Sequence, residues 1–438
     1  MPQVATLYQR PRYTIRMVVF ENGERTPILI DERRGLPLFD PCVYVSTEIR
    51  PKTGSAATIE QALRGIQFLL TFVADRQIDL FKRFSTGRFL DLHELDDLVR
   101  AAHKPFGKAA RQGSDASPSN SKVLSFDKIR KRAPKVKEDA TVAVSTVAIR
   151  LYYASAYLEW MGHRAARQVC KTLEEKNNYM TLLREFRGHL RSRTPRARAS
   201  SSRLSLNEDQ KAELLRIIEP DCADNPWHGA FVRDRNRLIV LWGLGTGLRR
   251  GELLGLRIKL LNLRLHTADI IRRPDDKNDP RKYQPNTKTR ERAIGISEEL
   301  AYWTHEHIVR RRSMVGGARK HDFLFVSEHT GRPLSLSALS KIFRSLRERQ
   351  PNVGEALTSH VLRHTWNEDF SDIAEKAGLA PADESRARNH AMGWSDLSKS
   401  SDHYLKRRTR KLSTEASIRI QQSVICETTR TQTDEEFQ

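Results

Sequence analysis

The chain is poor in cysteine, in acidic charge and in long apolar runs, and each shortage closes off a class of protein. Four cysteines occur among 438 residues, Cys42, Cys170, Cys222 and Cys426. They stand too far apart for zinc-ligand spacing or for the disulfide framework of a small secreted domain. A reduced, cytosolic compartment is therefore expected. No apolar stretch approaches the roughly 20 residues needed to span a bilayer. The opening "MPQVATLYQRPRYTIRMVVF" lacks the charged-then-apolar order of a secretory signal. Lys and Arg number 76 against 54 Asp and Glu, a formal net charge of +22. On a chain long enough for two or three domains with real cores, that surplus favours a polyanionic partner, nucleic acid first.

Hydrophobic periodicity divides the chain. Residues 1–55 contain β-like pieces, "YTIRMVVF" and "CVYVSTEI", broken by a turn at "ENGER" and by prolines, and read as an N-terminal extension with a hairpin. From Thr58, a possible cap with Gln61 three residues on, Ile59, Leu63, Ile66, Leu70 and Val73 repeat at helical spacing. Further helices are predicted over "LHELDDLVRAA", over 141–161 and over 165–190, so residues 56–190 read as a helical bundle. A Ser/Pro/Gly-rich basic insert interrupts it at 104–139, either a solvated loop or an arm along a phosphate backbone. The arginine-rich stretch "RGHLRSRTPRARASSSR" marks a boundary, with a basic linker over 191–203 whose Arg191, Arg193, Arg196 and Arg198 are candidate DNA contacts. A second domain, 204–412, restarts with a helix capped by Ser205 or Asn207. It is mainly helical, with strands expected in "LRLHTADIIRR", "TKTRERAIGIS" and "DFLFVS". A tail follows at 413–438, and no internal repeat is present.

Four short stretches of the second domain carry unusual polar residues. In "TGLRRGELLGLR", Arg249 and Glu252 lie three apart and share a helical face. Taken alone this is an ordinary internal ion pair. In "TKTRERAIGI", Lys288 sits at a turn between strands, where a lone lysine is ordinarily solvated. In "HVLRHTW", His360 and Arg363 share a face, an arrangement that suits an oxyanion and repels a metal, while His364 points elsewhere as a packing residue. In "MGWSDLSKSSDHYLKR", Trp394 is followed ten residues on by Tyr404.

Together these stretches resemble the tyrosine recombinase (phage integrase) family. The order Arg, Lys, His-x-x-Arg, Trp, Tyr runs from residue 249 to 404, and the likeness covers about residues 204–412. The bundle at 56–190 is similar in kind to the family's core-binding, DNA-binding domain. Trp394 stands where many members carry histidine. The resemblance implies a helical core-binding bundle joined by the basic linker to a mainly helical catalytic domain with a small β-sheet, an α+β fold. It implies that Arg249 and Arg363 clamp the scissile phosphate, whose oxygens suit the bidentate guanidinium fork. Glu252 supports Arg249, and Arg250 is left as a surface or backbone-contact residue. Tyr404 attacks the phosphorus, Lys288 protonates the leaving 5′-oxygen, His360 assists proton transfer or steadies the phosphate, and Trp394 donates or packs. It implies double-stranded DNA as substrate, a homotetramer on synapsed sites from a chain that can be monomeric in solution, and accessory DNA-bending or element-encoded proteins. It implies that the cytosol is of bacterial type and that the protein lies alongside the nucleoid. Neither a metal nor another cofactor is called for.

Two other readings stay open. One is relaxation of DNA by the same chemistry, as in a type IB topoisomerase. The other is a catalytically silent DNA-binding regulator. A metal-dependent nuclease is disfavoured, because no carboxylate cluster accompanies the arginines.

Overall fold

The structure, a computed structural model, describes residues 12–53, 55–106, 141–196, 205–287, 289–354, 356–395, 398 and 413–422. The chain divides into two compact units, Met1–Ser200 and Ser201–Gln438.

The first unit opens on an antiparallel sheet of β1 (Tyr13–Val19), β2 (Arg25–Asp31) and β3 (Leu36–Pro37), registered from Tyr13 opposite Asp31 to Val19 opposite Arg25. The turn between β1 and β2 closes at "ENGER", where Phe20 N donates to the Glu24 carbonyl over 2.9 Å. The second β-like piece is not a strand. Residues 42–49 lie in α1 (Phe39–Tyr44) and a π-helical turn over Val45–Ile49, continued by α2 (Arg50–Thr53). Tertiary packing overrides the β propensity of its valines: Tyr44 sets its ring edge-on against Tyr157 and Trp160, at 5.4 and 5.6 Å. The hairpin packs into the bundle. Leu29 is fully buried in the same core as the helices, and Gln67 donates to the Tyr13 carbonyl over 2.6 Å.

The bundle consists of α3 (Ala56–Asp75), α4 (Leu80–Ser85), α5 (Leu92–Ala102), α6 (Val144–Val169) and α7 (Leu173–Arg193). α3 starts before Thr58, with Ser55 at its N-cap. Ile59, Leu63, Ile66 and Val73 face the core as expected, but Leu69 rather than the half-buried Leu70 fills the fifth place. The helix expected over 165–190 is two: α6 ends at Val169, and Thr172 caps α7 by accepting from Glu175 N. α7 then runs through Arg191 and Arg193, both of which composition alone assigns to the linker. Arg193 is held there by Asp96, its Nε 2.7 Å from Oδ1.

The second unit is mainly helical around one small sheet. Asn207, rather than Ser205, caps α8 (Glu208–Ile217) by accepting from Gln210 N over 2.8 Å. α9 (Ala230–Thr246), α10 (Arg250–Gly255), α11 (Glu298–Glu306), α12 (Leu336–Arg349), α13 (Ser359–Lys376) and α14 (Pro381–Met392) follow it. The sheet is antiparallel, β4 (Leu261–Asn262), β5 (Thr267–Ile270) and β6 (Arg292–Gly295). α9 runs through the core: Trp242 is fully buried and donates to the Thr304 hydroxyl over 3.0 Å. "DFLFVS" forms no strand. It is an extended segment with isolated bridges, Arg257 to Phe323 and Val326 to Pro333, because it lies between two different neighbours instead of along one.

Candidate active site

The polar cluster forms where the end of α9, the start of α10, the β5–β6 loop, α13 and the end of α14 meet. Gly247, at φ 61°, ends α9. Two residues later Arg249 occupies the N-cap of α10 in extended conformation. Arg249 N donates to Glu252 Oε2 over 2.9 Å, and its Nη1 lies 3.8 Å from Glu252 Oε1. Glu252 is fully buried at its side chain, while that of Arg249 remains one-third exposed.

A buried carboxylate must be compensated. Around Glu252 the Thr289 hydroxyl donates to Oε1, and Arg292 Nη2 lies 3.3 Å from Oε2. Burial alone would raise the Glu252 pKa. Arg292, Thr289, the Arg249 N–H and Arg363 outweigh it and hold the carboxyl below its ordinary range. Glu252 is thus a buried anion around which three guanidiniums gather.

Arg363 comes from the first turns of α13, which Thr358 caps by accepting from Val361 N over 3.3 Å. It is 4% exposed and donates through Nη1 to the Gly247 carbonyl over 2.7 Å. Its guanidinium carbon stands 5.3 Å from the Trp394 ring centroid, a cation–π contact that desolvation strengthens. Trp394 N in turn donates to the Asn389 carbonyl over 2.8 Å. Asn367, one turn beyond Arg363, is buried and donates to the Arg363 carbonyl over 2.8 Å. His360 is exposed on the same helix. His364 does not point away from it: four residues apart, the two rings meet edge-on at 4.7 Å, as i, i+4 neighbours do.

Arg249, Glu252, Arg363 and Trp394 are therefore joined by a short chain of contacts, with His360 and His364 on the α13 side. Lys288, Tyr404 and Arg198 lie outside the described residues. The chain neighbours of position 288 are tied down. Thr289 bonds Glu252, and Arg290 N donates to the Gly393 carbonyl over 2.9 Å. Gly393 sits at φ 62° with Arg292 Nη1, the Arg290 carbonyl and Thr289 Cβ so near that an added Cβ would lie within 2.9 Å of each. No side chain fits there.

Arg292 and Thr289 do not stand out as site residues in the sequence. Arg292 is buried and also donates through Nε to the Ala391 carbonyl over 2.7 Å, joining β6 to α14. A signal for it exists: Arg292, Ile294 and Ile296 alternate with Ala293 and Gly295, which places the arginine on the inward face of its strand. Of the other candidate DNA contacts, Arg191, Arg196 and Arg250 are exposed, while Arg193 is engaged with Asp96.

Among the described residues, one His/carboxylate group has metal-like proximity, Asp91, His93 and Glu94 in the first unit, within 4.8 Å of one another. Its carboxylates already have work. Glu94 accepts from Arg83 over 3.1 Å and from Asp91 N over 2.7 Å at the start of α5, and Asp91 lies 3.6 Å from Arg83. The group reads as a helix cap.

The model of the phage integrase family matches residues 205–410, a little under half of the chain. The chain is 30% identical over 173 residues to the tyrosine recombinase XerD of Haemophilus ducreyi, covering 40% of this chain and 50% of that one. It is 25% identical over 231 residues to XerD of Proteus mirabilis, covering 51% and 65%. Transposase A from transposon Tn554 of Staphylococcus aureus is 31% identical over 134 residues, 30% of this chain and 34% of the relative. The chain thus spans between half and two-thirds of the length of the XerD relatives. Among solved structures, the Tn1549 transposon integrase in complex with transposon right end DNA aligns with a TM-score of 0.42 at 16% identity, covering 85% of this chain and all of that one.

Proposed function

We propose that the protein is a site-specific DNA recombinase that cuts and rejoins double-stranded DNA through a covalent phosphotyrosyl intermediate and mobilises a genetic element. The observation that carries this reading is the assembly of Arg249, Glu252, Arg363 and Trp394 inside a phage integrase family domain. Relatives named as a tyrosine recombinase and as a transposase support the reading.

The residues divide the chemistry as follows. Arg249 and Arg363 hold the non-bridging oxygens of the scissile phosphate, on which negative charge grows as the phosphorus is attacked. Preorganised donors of this kind are commonly the largest catalytic contribution, each worth about 10²–10³ in rate. The phenolic oxygen of Tyr404 bonds to phosphorus and the bond to the 5′-oxygen breaks. His360 assists removal of the phenolic proton or steadies the phosphate, and the Lys288 ammonium delivers a proton to the departing 5′-oxygen. The tyrosine stays on the 3′-phosphate, and the free 5′-hydroxyl is the product. Because the phosphotyrosyl ester conserves the bond, rejoining runs the same steps backwards with neither ATP nor a metal ion.

Exchange between two DNA sites calls for a tetramer of this chain on the paired sites. Accessory DNA-bending or element-encoded proteins would set direction. The exposed Arg191, Arg196 and Arg250 serve phosphate contacts, which fix position without reading sequence.

The test has two parts. Sequencing the junctions between the gene's element and its flanking DNA supplies the site. A nicked suicide substrate built on that site should trap a covalent protein–DNA adduct, and Tyr404→Phe should abolish the adduct while leaving DNA binding nearly intact. An adduct that persists in the Phe variant overturns the assignment. Relaxation of supercoiled DNA without strand exchange would favour the topoisomerase reading instead.

A further inference from the structure

The β5–β6 loop is long, and much of its polar content is buried. Asp279 and Arg281 are 4% and 8% exposed. Arg281 reaches Asp279 with Nε at 2.9 Å and Nη2 at 2.7 Å, and its Nη1 donates to the carbonyls of Leu254 at 3.0 Å and Leu334 at 2.8 Å. Leu254 lies in the last turn of α10, so the guanidinium also complements the negative end of that helix. Earlier in the loop, Asp276 accepts from Arg257, which is 5% exposed and also donates to Asp322 over 2.9 Å. Arg257 and Arg281 both rest against the buried ring of Phe323, their guanidinium carbons 4.3 and 4.5 Å from its centroid.

This arrangement sets the path of the chain. From Arg281 at the last turn of α10, the loop runs back along the helix to its first turn, where the Asn286 carbonyl lies against Gly251. A Cβ on Gly251 would come within 2.3 Å of that oxygen. Thr289 is then fastened to Glu252. The loop is thus tied at the far end of α10 by Arg281 and at the near end by Gly251 and Glu252, with Lys288 between those near-end contacts in sequence.

We propose that Arg281, seated by Asp279, Arg257 and Phe323, is a positioning residue for cleavage that holds the β5–β6 loop in the course delivering the proton donor to the leaving 5′-oxygen. The inference rests on the reading of Lys288 as that donor. Arg281 acts through the loop and never meets the DNA. Its contribution therefore belongs to one event, protonation of the 5′-oxygen as its bond to phosphorus breaks. Attack by Tyr404 and charge neutralisation by Arg249 and Arg363 are untouched.

A leaving-group substitution isolates that event. In a substrate whose 5′-bridging oxygen is replaced by sulfur, the departing thiolate is a weak base and needs no proton. The variant is Arg281→Met with Asp279→Asn, so that no lone charge is left buried. Its single-turnover cleavage of ordinary DNA should fall about tenfold or more, while cleavage of the sulfur-bridged substrate stays within about threefold of the unmodified protein. Equal slowing on both substrates overturns the inference, because a damaged fold or phosphate clamp acts on both. Unchanged cleavage of both also overturns it. If the double variant does not fold, Phe323→Leu, which keeps both ion pairs and removes the ring they rest on, is read in the same way. Lys288→Ala separates the two layers. If it is slowed alike on both substrates, the donor reading fails and the inference with it. If it shows the split while the Arg281 variant does not, only the inference fails.

Discussion

Arg363 donates to the Gly247 carbonyl across 2.7 Å, and this bond joins an α13 arginine to the turn that carries Arg249. One nitrogen of the guanidinium thus serves the fold while the group as a whole lies at the site. Arg363→Ala should lower single-turnover cleavage by about 10² or more, and Arg249→Ala likewise. The double change should cost less than the product of the two, since in the proposed chemistry both act on one phosphate. Arg363→Lys should rescue little, because an ammonium lacks the planar fork needed to hold a carbonyl and a phosphate together. Near-normal cleavage by Arg363→Lys would contradict a bidentate clamp.

That the two arginines come together is legible in the sequence, because residue type and order along the chain pair them, and the structure joins Arg363 to the turn that carries Arg249. What is not legible depends on contacts between segments remote in sequence. Arg292 joins Glu252 to the Ala391 carbonyl, 40 and 99 residues away. Only its alternation with Ile294 hints that it faces inward. Residues 42–49 carry strand-like valines, yet they are helical because Tyr44 fits the aromatic face of α6. The sequence reading sets His364 apart from His360, although a spacing of four on a helix brings the rings together. Arg193 reads as linker from its arginine-rich surroundings, whereas Asp96, ninety-seven residues earlier, keeps it on α7.

Glu252 should matter to stability as well as to cleavage. Its carboxyl is fully buried and is held charged mainly by Arg292 and Thr289. Glu252→Gln leaves Arg292 buried without its counter-ion, and breaking a buried pair from one side costs about 3–5 kcal/mol. The sign with pH follows from the lowered pKa. The stabilisation is fully present above the unfolded carboxyl value of about 4.3 and is lost as pH falls through the lower folded value. Urea melts of the two proteins should differ most near neutrality and converge in strong acid. A gap that does not narrow in acid would mean Glu252 acts through packing alone.

His307 gives the second unit a separate acid sensitivity. It is 3% exposed, between Phe231 and Phe325, and among the described residues neither ring nitrogen has a hydrogen-bond partner. Burial, then Arg235, Arg312 and Arg311, push its pKa down to about 3. A depressed histidine stabilises the fold fully above its unfolded value of about 6.5, and the contribution fades as pH falls toward the folded value. At pH 5 the loss is on the order of 2 kcal/mol. His307→Leu should therefore narrow the difference in Tm between pH 7.5 and pH 5. An unchanged difference would place the acid sensitivity elsewhere.

The tail offers a test of assembly. Residues 413–422 form a helix on which Ile418 and Ile420 are 46% and 63% exposed. Exposed isoleucines gain by packing on an apolar surface. That surface can belong to its own chain or to a neighbouring protomer. If it belongs to a neighbour, packing in trans would tie the position of each tyrosine to the next subunit and restrain cleavage until sites are paired. Deleting residues 413–438 should then leave single-site binding intact, weaken the four-subunit complex in native gels and reduce or deregulate strand exchange. Replacing Ile418 and Ile420 with serine should reproduce the assembly defect without shortening the chain, which separates loss of the apolar contact from loss of the polar end. If both variants pair sites and recombine like the intact protein, the tail packs on its own chain and takes no part in assembly.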